Sequence, residues 1–492
     1  MNSPGWSYRR YLPEHLKDRL AQPYISRIVP REDGFYFEIS DPGYEGGYVL
    51  DLGPAAGGER RKIPFEGKSF AVDGLEKETD FSFCVARSGG AGGKSGAQAP
   101  VTGSRFAASL AASEGLAFFP GADPADISSL RTVRTCRAPG VTVGYLHPAD
   151  AEYSFSGRYL CSPSLLKLPG GALLASCDVF AGTAPQNLSI IFRSDDGGAS
   201  WRHVCELFPC FWGKLFLSGG RLYMLACSTE YGDLLIGRSD DGGESWTAPS
   251  VIARGSCARD RSGWHRAPMP VVEHGGLVMT DVQWGSWKEK FFLDAILSAP
   301  AGADLLDPSV WKISGLRHSS DFVDGLPESV RGGIEGSVAV RPDGSVCDIL
   351  RLADGCALTL DVSLDGGSPE FTAGRLTAFP STSSKADVIR DPVSGNYLSI
   401  VSYRLEEPKT RRNLLSLIAS EDLENWRLLC HIIDMRDADP AFFGFQYADF
   451  IIDGNDILLL SRTAFSHAHS FHDSNFITFH RIRNFRMLNL SV

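Results

Sequence analysis

Two histidines and a cluster near the C-terminus are the residues of this chain whose types and surroundings first suggest chemistry. His147, in Gly144-Tyr145-Leu146-His147-Pro148, and His265, in Gly263-Trp264-His265-Arg266-Ala267-Pro268, each sit among aromatic, glycine and proline residues. Imidazole gains and loses a proton near neutral pH, so either can act as a general acid or base. The run Ser466-His467-Ala468-His469-Ser470-Phe471-His472-Asp473-Ser474-Asn475 spaces three histidines around an aspartate. Metal binding comes to mind, but the spacing matches no closed structural site. A loop that lends His472 or Asn475 to a substrate fits better, and no metal is expected. Walker and dinucleotide patterns are absent from the strand–glycine–helix context they require, so no nucleotide cofactor is expected either.

The elements that must position such residues reveal themselves through a repeat. Ser194-Asp195-Asp196-Gly197-Gly198-Ala199-Ser200-Trp201 returns about 45 residues later as Ser239-Asp240-Asp241-Gly242-Gly243-Glu244-Ser245-Trp246. Each copy follows an apolar run, Ile190-Ile191-Phe192 or Leu234-Leu235-Ile236. Each therefore predicts a hairpin turn in which the second aspartate bonds turn amides, the glycines supply positive φ and the tryptophan covers the turn from outside. Apolar pairs flanking glycine turns mark six units, at 159–201, 214–246, 270–311, 336–371, 388–426 and 448–480. Degenerate turns at Ser363-Leu364-Asp365-Gly366-Gly367 and Ser420-Glu421-Asp422 mark two of them. The pattern predicts an all-β, six-bladed propeller, one blade of which borrows a strand from about residues 141–146 to close the ring. Seven blades would fit if residues 105–145 held further strands. A propeller site lies at one end of the central channel, and Asp178, ending the second strand of the first unit, is placed to face it.

Composition sets the outer limits. The chain has 492 residues, ordinary apolar content and a formal charge of −11, which disfavour nucleic acid and anionic membranes as partners. No apolar run is long enough to span a bilayer. The eleven cysteines, scattered through apolar strand patterns, read as reduced thiols, and with no basic-then-apolar leader a cytoplasmic protein is expected. Oligomeric state is not legible. The first 21 residues form a charged segment. Short alternating runs over 22–88, such as Gly34-Phe35-Tyr36-Phe37-Glu38-Ile39, predict a small β-sandwich. Val72-Asp73-Gly74-Leu75 followed by Thr79-Asp80-Phe81-Ser82-Phe83 resembles the end of a fibronectin type III domain. Residues 89–104, rich in Gly, Ala and Ser, read as a linker, and 105–492 as the propeller.

The repeated Ser-x-Asp-x-Gly-x-Ser/Thr-Trp turn is the Asp box, and from about residue 140 to 485 the chain resembles the sialidase-like β-propellers. Ile334-Glu335-Gly336-Ser337-Val338 through Ile349-Leu350-Arg351 is similar to the family segment in which a glutamate opens one strand and an arginine ends the next. Gln446-Tyr447-Ala448-Asp449-Phe450 is similar to the segment carrying the tyrosine nucleophile. The resemblance implies Tyr447 as nucleophile, Glu335 as the carboxylate that takes its proton, and Arg351 as one of three arginines gripping a substrate carboxylate, with Gln446 beside them. A phenol, pKa about 10, attacks well at neutral pH only with such a carboxylate nearby.

The first unit departs from the family. Cys161, in Cys161-Ser162-Pro163, takes the place of the first arginine. Lys385 and Arg404 are the best counterparts of the third. Gln186 and Asn187 stand near the position of the family's acid aspartate, for which Asp178 is a replacement candidate. The segment from Trp264 to His274 is also similar to propellers that cleave next to uronic acids, the rhamnose–glucuronate lyases and related rhamnosidases. That likeness implies His265, His147 or Tyr447 as a base, with Arg351 and Gln186 neutralising a carboxyl. Trp212, Trp264, Trp284 and Trp287 offer faces on which sugar rings can stack. The expectation is an exo-acting glycoside hydrolase that takes a terminal acidic or deoxy sugar from an oligosaccharide and is not an ordinary sialidase. A uronate-linked lyase and a non-catalytic glycan-binding propeller are the alternatives.

Overall fold

The computed structural model describes residues 5–6, 23–88 and 130–490, except 155, 183, 259, 325 and 327–331. The alternating N-terminal runs form two antiparallel sheets. Tyr24–Arg31, Gly34–Ser40 and Ser69–Val72 make one; Arg61–Phe65, Tyr48–Pro54, Asp80–Arg87 and Arg131–Arg134 make the other. Every second residue points inward, and Ile28, Phe35, Phe37, Leu50 and Phe83 join across the sheets in one core. The last strand arrives from beyond residue 129, so the sandwich is not complete at residue 88 and the ring of blades starts later than residue 105. Arg131–Arg134 buries one apolar side chain, Val133, too little pattern to be seen as a strand in the sequence. The expected linker at 89–104 lies outside the described residues.

Six blades follow. Blade 1 is Tyr159–Lys167, Leu173–Phe180, Leu188–Ser194 and Arg202–Leu207; blade 2 is Phe211–Ser218, Arg221–Cys227, Leu234–Ser239 and Ser250–Ala253. Blade 3 is Gly263–His265, Leu277–Ser286, Phe291–Pro300 and Lys312–Ile313, with Val272–His274 also paired to its second strand. Blade 4 is Ile334–Val340, Val346–Ala353, Cys356–Ser363 and Glu370–Ala378; blade 5 is Val388–Arg390, Tyr397–Ser402, Leu414–Ser420 and Trp426–Asp434. Blade 6 is Gly444–Asp453, Asp456–Ala464 and Phe476–Ile482, and its outer strand is Val141–Tyr145, which precedes blade 1 in sequence. That pairing closes the ring, as the repeat pattern predicts, and the count among the described residues is six.

The repeated turns work as local chemistry requires and also bind one blade to the next. Ser194 Oγ donates to Asp196 Oδ1 (2.8 Å) and accepts from Gly198 N (2.8 Å), while Asp196 Oδ1 accepts from Ser200 N (2.8 Å). Ser239, Asp241, Gly243 and Ser245 repeat the set within 0.1 Å. Gly198 sits against the ring of Phe479 in blade 6, and Gly243 against Leu174 in blade 1, where any Cβ would collide. Trp201 and Trp246 are buried rather than exposed covers; the first packs on Phe479 at 5.6 Å and the second donates to Gly243 O at 3.1 Å. Trp6 is buried against the same region of blade 2, its Nε1 donating to Pro209 O at 2.7 Å.

The sandwich docks on blades 6 and 1. Arg27 donates to Val143 O (2.9 Å) and Thr142 O (2.7 Å), and Tyr145 and Phe476 of blade 6 enter the sandwich core. Arg131 bridges Asp150 Oδ2 (2.7 Å) and Ile25 O (2.6 Å), with both charged side chains almost fully buried. All eleven cysteines are free thiols. Among the described residues no helix is long and apolar enough to cross a membrane. Arg131→Leu strands the Asp150 carboxylate inside the contact, so urea denaturation should show a loss of about 3 kcal/mol or more, with the sandwich and propeller unfolding in separate transitions.

Candidate active site

Four blades carry a β-bulge in the innermost strand, at the same end of the channel. The ladder register skips between Gln446 and Asp449 in blade 6, between Ile334 and Ser337 in blade 4, between Phe211 and Lys214 in blade 2, and between Cys161 and Ser164 in blade 1. A residue with left-handed backbone sits in each skip: Tyr447 (φ 53°), Glu335 (57°), Trp212 (54°) and Ser162 (50°). None is glycine, and each such conformation costs about 1–3 kcal/mol. A bulge turns a side chain out of the strand's normal alternation and frees backbone amides from the ladder. Carboxylates of the preceding blade take up two of those amides: Asp178 Oδ2 accepts from Trp212 N and Asp281 Oδ2 from Gly336 N, both at 2.7 Å.

The bulges of blades 4 and 6 bring the Tyr447 and Glu335 side chains together. Tyr447 Oη donates to Glu335 Oε1 at 2.7 Å; Arg351 Nη1, from the end of the second strand of blade 4, donates to Glu335 Oε2 at 2.7 Å and to Tyr447 Oη at 2.9 Å. Burial favours the neutral acid at Glu335, but the Arg351 charge, the neighbouring His265 and the hydrogen bonds from Tyr447 and Arg351 together outweigh it and hold the carboxyl below the usual glutamate range. Burial and then the Glu335 charge raise the Tyr447 phenol above its ordinary value, against the pull of the arginines. At neutral pH the pair is therefore carboxylate and phenol, with the phenol proton already aimed at its acceptor.

Two further guanidiniums flank Tyr447. Arg412 lies 5.6 Å from the centre of its ring and Arg462 5.2 Å. Arg412 is held by Ser383 O (2.7 Å) and by Gln446 Oε1, and Gln446 in turn donates to Phe471 O. Burial, with the repulsion of Arg351 and Arg462, brings the Arg412 pKa down to about 10. Arg462 donates to His472 O, covers the ring of Phe180 at 4.6 Å, and has its Nε buried without a partner. Neither Arg412 nor Arg462 was among the site residues expected from sequence. The signal was present at Arg462, a lone charge inside the buried strand Asp456–Ala464, whereas Arg412 sits in a polar loop with nothing to mark it. Arg462 also lies close enough to influence Cys161, so a guanidinium from blade 6 occupies the neighbourhood where the first blade offers only a thiol.

The other expected residues divide into two groups. His265, Asp178, Gln446 and His472 lie around the inner-strand bulges or support them. His265 is buried and stacks edge-on to Trp212 at 4.5 Å. Asp178 has both oxygens engaged, by Ser189 Oγ and Trp212 N, and serves as the brace of the blade 2 bulge. His472 contributes its carbonyl and packs on Phe180. Gln186, itself at φ 56°, donates to Glu230 at 2.9 Å, and the Asn187 backbone ties Ser156 to Cys210. The remaining three lie elsewhere. His147 sits in the sandwich contact, 3.5 Å from Asp80, because the loop after the closing strand runs outward there. Lys385 is fully buried on Asp387 (2.9 Å) and Ala448 O (3.2 Å), where it offsets carboxylates beneath the site. Arg404 pairs with Glu406 at the surface. Among the described residues no cluster of three metal-ligating side chains occurs.

No family model and no curated protein matches the chain. Among solved structures, an α-L-arabinanase of Penicillium chrysogenum complexed with arabinobiose is 13% identical, over 70% of this chain and 98% of its own, with a TM-score of 0.48. The GH93 α-L-arabinofuranosidase of Fusarium graminearum, also complexed with arabinobiose, is 12% identical over 70% and 97%, with a TM-score of 0.47. A Hadza microbial sialidase is 13% identical over 94% of both chains, with a TM-score of 0.48.

Burial raises the Asp178 carboxyl to about 7, whereas in the unfolded chain it titrates near about 3.9. The folded state therefore binds this proton more tightly. The stability it contributes is whole below the unfolded value and is lost as pH rises through about 7. Asp178→Asn should flatten that decline in urea denaturation series run from pH 4 to 8; an unchanged slope would show that Asp178 titrates normally.

Proposed function

We propose that the protein is a retaining glycoside hydrolase that removes a terminal, carboxylate-bearing sugar from an oligosaccharide. The contact of Tyr447 Oη with Glu335 and Arg351, inside a ring of three guanidiniums, carries this reading. Three clustered cations face Glu335 and the phenol, and such an arrangement favours an anion that guanidinium forks can hold by paired hydrogen bonds. A sugar carboxylate next to the anomeric carbon would repel a carboxylate nucleophile, and a neutral phenol avoids that repulsion.

In the first half-reaction Tyr447 Oη bonds to the anomeric carbon as its proton passes to Glu335 Oε1. The bond to the leaving-group oxygen breaks, and that oxygen takes a proton from solvent water. In the second half, water attacks the same carbon and gives up a proton to solvent, the bond from Tyr447 Oη to that carbon breaks, and the phenol regains its proton from Glu335. Two displacements on one carbon preserve its configuration. A lyase would use a histidine or Tyr447 itself as the base. His265 is pushed down to about 4 by burial and is a weak base, and His147 stands in the sandwich contact, so elimination by either histidine has less support.

A screen against sialosides and uronides should release reducing sugar without the near-ultraviolet absorbance of an unsaturated uronate. Rising absorbance would favour elimination, and binding without turnover would favour a glycan-binding propeller. Tyr447→Phe keeps the ring and removes the reacting oxygen, so kcat should fall by roughly 10³-fold or more with KM within a few-fold. Wild-type turnover in that variant would remove Tyr447 from the mechanism. Arg351 is the main charge holding the Glu335 pKa down. In Arg351→Met the acid limb of the kcat/KM profile should therefore move to higher pH; a limb that stays in place would dissociate it from Glu335.

A further inference from the structure

We infer that His265 is a substrate-facing hydrogen-bond acceptor which, with Trp212 and Trp287, forms a subsite for a hydroxyl-bearing sugar ring beside the Tyr447–Glu335 pair. The inference rests on the glycosidase reading of that pair and adds where the hydroxyl end of its substrate lies.

Two buried carboxyls lie beneath the site. Asp281 Oδ2 accepts from Gly336 N at 2.7 Å and from Gln283 Nε2. Asp348 lies against it; the position a Cβ of Gly336 would take is 2.5 Å from both Asp348 oxygens and 2.7 Å from Asp281 Cγ. Two adjacent buried carboxyls cannot both ionise readily. Burial raises Asp281 to about 6 and Asp348 well above the ordinary range, so Asp348 is the neutral member of the two and Asp281 the one that ionises.

A charged Asp281 only accepts, which fixes the Gln283 amide with its NH₂ toward Asp281 and its oxygen on the other side. That oxygen is 3.3 Å from Glu335 N and 3.3 Å from His265 Nδ1. Glu335 N–H donates to it, and it can only accept from the imidazole as well. Nδ1 therefore carries the proton of the neutral ring, and Nε2 carries the lone pair. His265 is 3% exposed, and its Nε2 makes no hydrogen bond to any described residue, so the lone pair is left for a hydroxyl brought by the substrate.

The walls around the ring suit a sugar. Trp212 meets His265 at 4.5 Å, Trp287 at 6.3 Å and Phe292 at 4.9 Å; Trp287 is 42% exposed and Trp212 partly so. Indole faces stack on the apolar side of a pyranose, and the lone pair accepts from one of its hydroxyls. A carboxylate, itself an acceptor, is unwelcome there and goes to the arginines. The two ends of the site thus demand opposite chemistry, which orients the substrate.

The test is ring-nitrogen NMR of protein labelled with ¹⁵N-histidine, His265 being assigned from His265→Phe. The wild type should show a protonated Nδ1 and a lone-pair Nε2 at pH 6–8. Gln283→Leu removes the acceptor that fixes the tautomer and should move the proton toward Nε2, a change that a purely structural role would not produce. A protonated Nε2 in the wild type would overturn the inference without any sugar being present. D-glucuronate or N-acetylneuraminate should then shift the Nε2 resonance, whereas acetate, a carboxylate without hydroxyls, should not. His265→Phe should weaken the sugar acid about tenfold, and His265→Gln, which keeps an acceptor, should weaken it less. Sugar binding that depends on Arg351 but leaves Nε2 unmoved would overturn the subsite and leave the proposed function intact. Failure of either acid to bind would count against the carboxylate reading itself and remove the subsite with it.

Discussion

The left-handed bulge in the innermost strand is the constraint on which the rest of the molecule depends. A regular strand would send alternate side chains into the blade faces on either side and leave the channel mouth with backbone. At Glu335 and Tyr447 the bulge turns a charged and an aromatic side chain into the axis instead. The conformation is unfavourable at non-glycine residues, so something outside the strand must hold it. For blade 4 that support is Asp281 on Gly336 N and Gln283 on Glu335 N, both from blade 3; for blade 2 it is Asp178 of blade 1 on Trp212 N. Blades 2 and 4 are thus each completed by the blade before them, which holds the strained backbone in place.

The same arrangement explains why so many charges lie in the interior. Lys214 of blade 2 reaches Asp449 of blade 6 at 2.6 and 2.8 Å, and Asp449 also accepts from Leu165 N of blade 1 at 2.6 Å. Lys385 of blade 5 holds Asp387 and the carbonyl of Ala448. Buried pairs of this kind add little net stability compared with apolar packing, but breaking one strands a charge. Their distribution across blades 1, 2, 5 and 6 ties the inner strands to one register. Above them, the arginine ring carries positive charge that the protein only partly neutralises.

Much of this could be read from the chain. The two copies of the serine–aspartate–glycine turn announced a repeated hairpin because their chemistry is local, and the ring closure at residues 141–146 followed from counting units. Tyr447, Glu335 and Arg351 were singled out by segment likeness, and the structure brings them within hydrogen-bond distance. The rest was hidden for identifiable reasons. Val133 alone does not mark a strand, so the sandwich was closed too early. Lys385 and Arg404 were chosen by nearness in sequence to a family position, but a long cation's destination is set by which carboxylate it meets. Lys385 met Asp387 below the site and Arg404 met Glu406 at the surface. Arg412 and Arg462 reach Tyr447 from a loop and from a second strand, where no local pattern shows direction.

Sequence by itself determined what depends on neighbours a few residues apart: the turns, the alternating strands, the six-fold repeat and the presence of a tyrosine and a glutamate at strand entrances. Only tertiary structure decided the relations between residues on different blades. Glu335 and Tyr447 are 112 positions apart, and whether they touch depends on ring closure and on the bulges of blades 4 and 6. The charge states of Asp281 and Asp348, the tautomer of His265 and the source of the second and third guanidiniums depend on burial and on partners from other blades. Those are properties of the assembled channel, and no short stretch of the chain contains them.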